Sequence, residues 1–323
     1  MTELPESNDE PNIHVYEGPY KKLFSDLSKF IIDPRNTYYS VTKEQIITQL
    51  ENIMKEDKIA AIESDVTKFK HGGKFDEVLE YFMAGTNGHI SKWSIEENTT
   101  LPLVIRGVGG SSRNAIKHCW ETNRTFYAID TGYFGNNTKV KVYHRATKNN
   151  LQNIGPIIER PWDRVSPTNW KFMKFHPGRK ILICPPSDKI MMLYGMDLDE
   201  WLNTTVETIK KHTDRPIEIR LKPIRKERIS NKTIADALAD DVHCLVTYNS
   251  IAATEALMLG KPAFTMGLNA AHSLCLHDLS KIETPYIPSR DELEALVAHL
   301  SYCQFTLDEF KSGYAWGVVN EGR

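Results

Sequence analysis

The sequence predicts an α/β protein built from two doubly wound, Rossmann-like domains that face a cleft. Apolar runs of strand length alternate with amphipathic stretches of helix length, which is the pattern of βαβ units with parallel strands. Loops rich in glycine, proline or small polar residues follow several of the apolar runs, as expected where a strand leads into a helix. A chain of 323 residues also suits two domains, since one domain usually takes about 100–200 residues.

The clearest βαβ unit of the first half lies between residues 101 and 134. A buried strand leads through a glycine-rich loop into a helix, and a second strand follows that carries Asp130 near its carboxyl end. Upstream of this unit, the pattern predicts a helix over 40–54, a short strand near Ala60 and a helix that ends at Gly85.

The second half resumes the alternation after a stretch over 151–176 that is rich in proline and tryptophan, which we interpret as the connection between domains. Its strand patterns are KILIC, PIEIRLKP, HCLVTY and KPAFTM, and helical patterns separate them. The predicted organisation is a flexible acidic tail over 1–20, a first Rossmann-like domain over 21–165, a second over 166–295, and a C-terminal helical segment over 296–323 that crosses back to the first domain.

Composition argues against several classes of protein. The formal net charge of −2 does not suit a protein that coats nucleic acid by bulk charge. The five cysteines are scattered without the spacing of a zinc site, so we expect free thiols, no metal and a reducing compartment. The apolar runs are too short to span a membrane, and the acidic N-terminus does not resemble a signal peptide. We therefore expect a cytoplasmic protein with no membrane partner and no required cofactor.

The strongest candidate site lies where a strand of the second half ends at Tyr248, Asn249 and Ser250 and a helix begins. Backbone N–H groups at the start of a helix attract anions, and the Ser250 hydroxyl is placed to cap the helix or to donate to a phosphate. Glu255 lies one turn further along and is suited to accept hydrogen bonds from ribose hydroxyls.

Two cations form a second candidate site. Arg220 and Lys222 are predicted to project to one side of a strand, whereas Ile219 and Leu221 would face the core. Two converging cations at a strand end suit a pyrophosphate. Ser187, in the turn after the first strand of this half, is a weaker candidate for contact with a phosphate or a sugar.

The glycine-rich loop of the first half is a third candidate. It lacks the spacing of a Walker loop or of GxGxxG, but it allows a ligand to approach the backbone at a helix N-terminus. Asp130, at the neighbouring strand end, is the candidate general base, because deprotonating a hydroxyl needs a positioned carboxylate or histidine. The residues proposed to face a hydroxyl acceptor or a phosphate are Arg106, Gly109, Gly110, Ser111, Ser112 and Arg113.

A purely structural role competes at each of these positions. Ser250 would then only cap its helix, and Glu255 would be solvated. The two cations would be a solvated pair on an edge strand, Ser187 would belong to a plain turn, and Asp130 would serve as a helix cap or turn residue. The sequence leaves these alternatives open.

The second half resembles the donor domain of GT-B glycosyltransferases. The matching pattern is the basic strand with Arg220 and Lys222, the Asn-Ser turn into a helix with Glu255, and then GKPAF. It is most similar to capsule-type enzymes that transfer 3-deoxy sugars. A protein family spread among tailed phages is similar to longer segments of the chain. These segments are IRGVGGSSRNAIKHC, FYAIDTGYF, LQNIGPIIERPWDR and CLVTYNSIAATEALMLGKPAFTMG. In T-even-like phages its members resemble enzymes that glycosylate 5-hydroxymethylcytosine in phage DNA, with arabinose as the favoured sugar and glucose as the alternative.

The resemblance implies a glycosyltransferase in which the first domain faces the acceptor and the second binds a nucleotide sugar, a UDP-sugar above all. The implied acceptor is double-stranded DNA that contains modified cytosine, in the host cytoplasm if the protein is phage-encoded. Basic clusters over 139–148 and around Arg113 and Lys117 would hold the DNA backbone. The donor residues that match the family pattern are Arg220, Lys222, Ser250 and Glu255.

Three other functions remain open on the same fold. A glycosyltransferase of this type would also suit a surface polysaccharide as its acceptor. A protein that binds a nucleotide without catalysis, or a sugar epimerase, would share the same donor domain.

Overall fold

The computed structural model describes residues 60–62, 77–86, 89–91, 101–136, 141–222 and 233–321, all of which belong to one compact unit, Lys55–Arg323. The predicted acidic tail over 1–20 and the predicted helix over 40–54 lie outside these residues. The strands are β1 (Ala60–Ile62), β2 (His89–Ser91), β3 (Leu103–Arg106), β4 (Phe126–Thr131), β5 (His144–Lys148), β6 (Lys180–Ile183), β7 (Ile217–Ile219), β8 (Val242–Thr247), β9 (Ala263–Thr265) and β10 (Gln304–Phe305). The helices are α1 (Glu77–Thr86), α2 (Ser111–Thr122), α3 (Asp188–Leu193), α4 (Leu198–Lys210), α5 (Ile234–Ala239), α6 (Ala252–Met258), α7 (Arg290–Ser301), α8 (Leu307–Lys311) and α9 (Tyr314–Asn320).

Two sheets organise the described residues, and their parallel strands follow the same winding. In the first sheet the order is β10-β5-β4-β3-β1-β2, with β2, β1, β3 and β4 parallel and β5 antiparallel to β4. The second sheet is parallel throughout, in the order β7-β6-β8-β9. In both sheets the first strand pairs with the second on one side and with the third on the other. This is the doubly wound order, so the predicted fold class is confirmed.

Both sheets are covered on both faces, which explains their nearly continuous apolar strands. In β3, Val104 packs into the core on one face and Ile105 into the core on the other. In β6, Leu182 and Ile183 divide in the same way. The described cysteines are all buried and unpaired, as expected, and burial raises the pKa of the Cys184 thiol to about 12. The thiols are therefore core residues.

The helix after β8 ends as the sequence predicts. Gly260 takes a positive φ of 71° and its N–H donates to the carbonyl of Leu257. A Cβ at Gly260 would lie 2.3 Å from the carbonyl oxygen of Lys174, so the close approach of the connecting segment also requires glycine.

The C-terminal region differs from the predicted helical segment over 296–323. Helix α7 ends at Ser301, and the short strand β10 then pairs antiparallel with β5, with Gln304 opposite Arg145. Helices α8 and α9 follow and pack against α1 of the first sheet. Helical periodicity cannot reveal a two-residue strand whose partner lies far away in sequence. The predicted boundary between residues 295 and 296 falls inside α7.

The second correction concerns the basic strand of the second half. Strand β7 ends at Ile219, so Arg220 and Lys222 lie just beyond it. Ile219 and Leu221 were predicted to face the core but are 45% and 57% exposed. The reason is that β7 is the edge strand of its sheet, where one flank and the carboxyl end are open.

None of the helices in the described part of the chain combines the length and apolar character that crossing a bilayer requires.

Candidate functional site

A cleft of about 910 Å³ lies where the carboxyl ends of strands from both sheets come together. We call it the main cleft. The first sheet contributes Thr131 at the carboxyl end of β4 and the loop that follows it, and the second sheet contributes the residues that follow β6, β7 and β8. Strands β6 and β8 flank the point where the winding of the second sheet reverses, which is where ligands bind in open α/β sheets. The fold therefore positions the cleft as a ligand site.

Four cationic residues line the main cleft: Lys141, Lys171, Arg220 and Lys222. Arg220 and Lys222 follow β7 of the second sheet, and Lys141 lies in the segment between β4 and β5 of the first sheet. Lys222 is close enough to two carboxyl groups, one on each side, to lower the pKa of both. The structure thus brings together the two predicted cations and adds Lys141, which was predicted only as part of a DNA-binding cluster.

Ser250 also lines the main cleft, but not as the cap that the sequence predicts. Helix α6 begins at Ala252 and spans only seven residues, and its N-cap residue is Ile251. The Ser250 hydroxyl accepts from the N–H of Ala252 at 3.3 Å. A helix this short contributes little dipole, so an anion here would be held by the cations and by Ser250.

Glu255 faces the same cleft and is partly buried. Burial raises the pKa of Glu255 to about 7, although Lys222 and Lys141 lower it. Arg220 acts in the same direction as the two lysines. A carboxyl group that titrates near neutral pH among three cations is costly unless a ligand uses it, which is typical of functional sites.

Asp130 lines a small adjoining cavity of about 120 Å³, which we call the central cavity. Lys222 and Ser250 line both this cavity and the main cleft, so the two adjoin each other. Ser187 lines the central cavity too, at the N-cap position of α3, without a side-chain cap bond. Asp130 and Ser187 therefore approach the donor residues from opposite sheets.

The Asp130 carboxylate forms an ion pair with Arg145, with Oδ2 and a guanidinium nitrogen 3.0 Å apart. Arg145 is buried, whereas the Asp130 side chain is 49% exposed. Burial opposes ionisation of Asp130, but Arg145 and the Thr131 N–H outweigh it and hold the pKa of Asp130 below its usual value. Lys222 and Arg106 act in the same direction. Asp130 is therefore a carboxylate at neutral pH and a weak proton acceptor.

Arg145 is held by more than this ion pair. Its guanidinium also donates to the carbonyls of Thr131 and Leu151. Arg145 was predicted to contact DNA, yet it points into the protein because β5 pairs with β4 and places it opposite Asp130. Lys148, from the same predicted cluster, donates to Asn320. Residues 139 and 140 lie outside the described part of the chain.

The glycine-rich loop only partly reaches the site. It does lead into the N-terminus of a long helix, α2, whose N-cap Gly110 has a φ of 56°. However, a Cβ at Gly109 would lie 3.1 Å from Lys189 Nζ, and Arg113 donates to the sulfur of Met192. The buried Ser112 hydroxyl donates to the carbonyl of Arg106. Much of the loop therefore contacts α3 of the other sheet; of the loop glycines, Gly107 lines the central cavity.

Tyr248 was predicted with the donor residues but borders a different pocket, whereas Asn249 lines both that pocket and the central cavity. Their neighbours there include Trp120 and Tyr194, and the Tyr248 and Tyr194 rings meet edge to face at 5.6 Å. The carbonyl of Asn249 accepts from the Gln152 side chain at 2.6 Å. Tyr248 and Ser250 thus line different pockets although only one residue separates them in the chain.

Sequence reasoning missed several residues that shape the site. Gln304 of β10 is fully buried, and its amide oxygen accepts from the N–H groups of Tyr133 and Phe134. It thereby fixes the loop that forms one wall of the main cleft. Trp170 and Phe172, from the connection between the sheets, also line the main cleft. The signal that was available is the density of aromatic residues in this connection.

Among the described residues, no group of three or more histidine, cysteine, aspartate or glutamate side chains is arranged to hold a metal ion.

Comparison with known proteins gives distant likenesses in structure only. No family model matches the chain, and no curated protein matches its sequence. The structure is similar to the β-Kdo 2,4 transferase of KpsC from Thermosulfurimonas dismutans, with 14% identity and a TM-score of 0.43 over 76% of this chain and 90% of that one. It is also similar to the β-Kdo 2,7 transferase of KpsC from the same organism, with 14% identity and a TM-score of 0.42 over 81% of this chain and 99% of that one. At this distance neither likeness carries an argument about activity.

Proposed function

We propose that this chain is a glycosyltransferase that takes its sugar from a nucleotide donor. The observation that carries the proposal is the joining of the main cleft and the central cavity around Lys222. Cations and Glu255 line the cleft on one side of this lysine, and the ionised Asp130 lines the cavity on the other. The site thus provides for an anion and for a carbohydrate in two adjoining spaces.

The donor would lie in the main cleft. Arg220 and Lys222 suit the phosphate groups, since charge-assisted hydrogen bonds from arginine and lysine are the usual contacts of phosphates. Glu255 suits the hydroxyls of the ribose or of the sugar, because a carboxylate accepts from two hydroxyls at once. A UDP-sugar remains the favoured donor.

The reaction replaces the bond between the anomeric carbon and a phosphate oxygen by a bond to an acceptor hydroxyl oxygen. The phosphate leaves with the bonding electrons, and the two cations stabilise its growing negative charge. The anomeric carbon becomes more positive as the bond breaks, and Asp130 is a carboxylate at a suitable place to stabilise it. The low pKa of Asp130 suits this stabilising role better than it suits the predicted role of a general base. The hydroxyl proton leaves to the solvent or to a base that arrives with the substrate.

The acceptor is better explained as a glycan than as DNA. The basic segment predicted to hold a DNA backbone uses Arg145 inside the protein and Lys148 on Asn320. The surface polysaccharide alternative is therefore preferred to modified cytosine.

A donor and acceptor panel tests the proposal. Purified protein is incubated with UDP-, CMP- and GDP-sugars, each with an oligosaccharide mixture or with duplex DNA that contains 5-hydroxymethylcytosine, and products are weighed by mass spectrometry. The proposal expects one added sugar on an oligosaccharide with at least one donor. Sugar added to the DNA would support transfer and restore the DNA acceptor. Nucleotide binding without any transfer would favour the non-catalytic alternative.

A further inference from the structure

A third pocket, which we call the aromatic pocket, adjoins the central cavity and shares no lining residue with the main cleft. It has a volume of about 210 Å³, enough for one ring-sized group. Trp120 and Tyr194 form its exposed wall, with ring centroids 5.6 Å apart and planes inclined by 33°. Both residues are exposed, at 37% and 38%, and Leu268 beside them is 54% exposed. Large apolar side chains that stay exposed together often mark a binding site.

The chemistry of the aromatic pocket suits a neutral sugar ring. Its apolar wall offers ring faces on which the C–H face of a sugar can pack, and Asn150 adds an amide that suits hydroxyl groups. Among its described lining residues no side chain is charged. Gln152 stabilises the wall of the pocket, because its side-chain amide donates to the carbonyl of Asn249 and accepts from the N–H of Ala270.

A nucleobase would stack on the same rings, but nucleic acid also needs cations that follow its phosphates. Arg113 and Lys117 lie on the α2 face that carries Trp120, yet neither lines the pocket. Arg113 is directed to the sulfur of Met192 at 3.3 Å. The charge around the pocket therefore favours a glycan over a nucleic acid.

The position of the aromatic pocket connects it to the reaction. Leu151, Gln152 and Asn249 line both this pocket and the central cavity that holds Asp130. A molecule in the aromatic pocket would thus lie next to the cavity that holds Asp130 without occupying the cleft proposed for the donor. We propose that the aromatic pocket binds a neutral sugar ring of the acceptor glycan, a proposal that rests on the proposed glycosyltransferase function.

Binding tests the pocket independently of transfer. The full chain is applied to an array of neutral oligosaccharides, and hits are titrated by tryptophan fluorescence against wild type, Trp120→Ala and Tyr194→Ala. Loss of one ring that packs against the sugar is expected to weaken glycan binding about tenfold, which corresponds to about 1.4 kcal/mol. Tyr286→Ala is the matched control, because Tyr286 has the same 38% exposure and lies outside the pocket. Trp120→Phe keeps a ring and is expected to retain most of the binding.

The outcomes separate this proposal from the proposed function. Nucleotide binding is measured on the same samples and is expected to be unchanged in Trp120→Ala. Glycan binding that depends on Trp120, without any transfer, would support the pocket and count against the transferase. Transfer in which the acceptor KM is the same in Trp120→Ala and wild type would overturn the pocket and leave the transferase standing. Two other results would also overturn the proposal. One is that no glycan binds in a way that depends on Trp120, and the other is that fluorescent single-stranded DNA binds in a way that depends on Trp120.

Discussion

The two sides of the site each present one carboxyl group, and the protein holds them in opposite states. On the first sheet, the buried Arg145 meets Asp130 directly and keeps its pKa low. On the second, Glu255 lies among cations that approach it less closely, so burial dominates and raises its pKa to about 7. The comparison teaches that a directed ion pair decides the charge of a carboxyl group, whereas cations at longer range only moderate the effect of burial.

Lys222 is the residue common to both sides, so its removal is expected to have the largest effect. Lys222→Met should lower kcat/KM for the nucleotide sugar about 10²–10³-fold, because the leaving phosphate loses a cation that stabilises its charge. Steady-state kinetics measure the change, with Lys210→Met on the exposed face of α4 as the control. A loss of less than about threefold would mean that the phosphate lies elsewhere.

The next prediction tests the role of the ionised carboxylate. Asp130→Asn should lower kcat about 100-fold while the nucleotide Kd changes little, because the charge matters only as the anomeric carbon becomes positive. Single-turnover kinetics measure the rate of transfer and calorimetry measures the nucleotide Kd. Asp199→Asn is the control, because Asp199 is an exposed residue of α4. A kcat equal to that of the wild type would assign Asp130 a structural role only.

Arg145→Leu tests whether Arg145, in the basic segment over 139–148, has a structural role inside the protein or contacts DNA. Two backbone carbonyls and Asp130 would lose their partner, so the free energy of unfolding should fall by about 2–3 kcal/mol, a value reduced because Asp130 is half exposed. Urea unfolding measures this. Lys148→Leu, on the same strand, should change it by less than about 1 kcal/mol because Lys148 is exposed. Equal effects of the two substitutions would contradict the assignment.

Glu255→Gln should change the dependence of stability on pH. Because its folded-state pKa is raised from 4.5 to about 7, Glu255 takes up a proton on folding between these values, and its contribution to stability falls as the pH rises through that window. The variant should therefore be more stable than wild type at pH 8, by at most about 3 kcal/mol, and the two should be similar near pH 5. Urea midpoints at both pH values measure the difference. Parallel pH profiles would show that Glu255 titrates normally.

The smallest effect is expected in the glycine-rich loop. A methyl group at Gly109 meets only the flexible end of Lys189, so Gly109→Ala should change stability by less than about 0.5 kcal/mol and leave turnover unchanged. Gly260→Ala is the contrast, since its positive φ and its contact with a backbone carbonyl should make it clearly destabilising. A large loss of turnover in Gly109→Ala would show that this part of the loop binds a substrate after all.

The sequence by itself determined the α/β class, the four strands of the second sheet, the strands β1, β3 and β4 of the first sheet, and the loops that end at the site. These features are predictable because they depend on the spacing of apolar residues, on glycines and on helix-capping residues, all of which act over a few neighbouring positions in the chain. It also identified Arg220, Lys222, Ser250 and Glu255 as neighbours in one cleft.

Only the tertiary structure decided which charges meet. The pairing of β4 with β5 turned Arg145 from a predicted DNA contact into the partner of Asp130, and β10 brought Gln304 to the cleft wall from the far end of the chain. It also directed Tyr248 into the aromatic pocket and left Ser250 in the main cleft. The physical reason is that the charge state and direction of a side chain depend on burial and on partners distant in sequence, which local patterns do not encode.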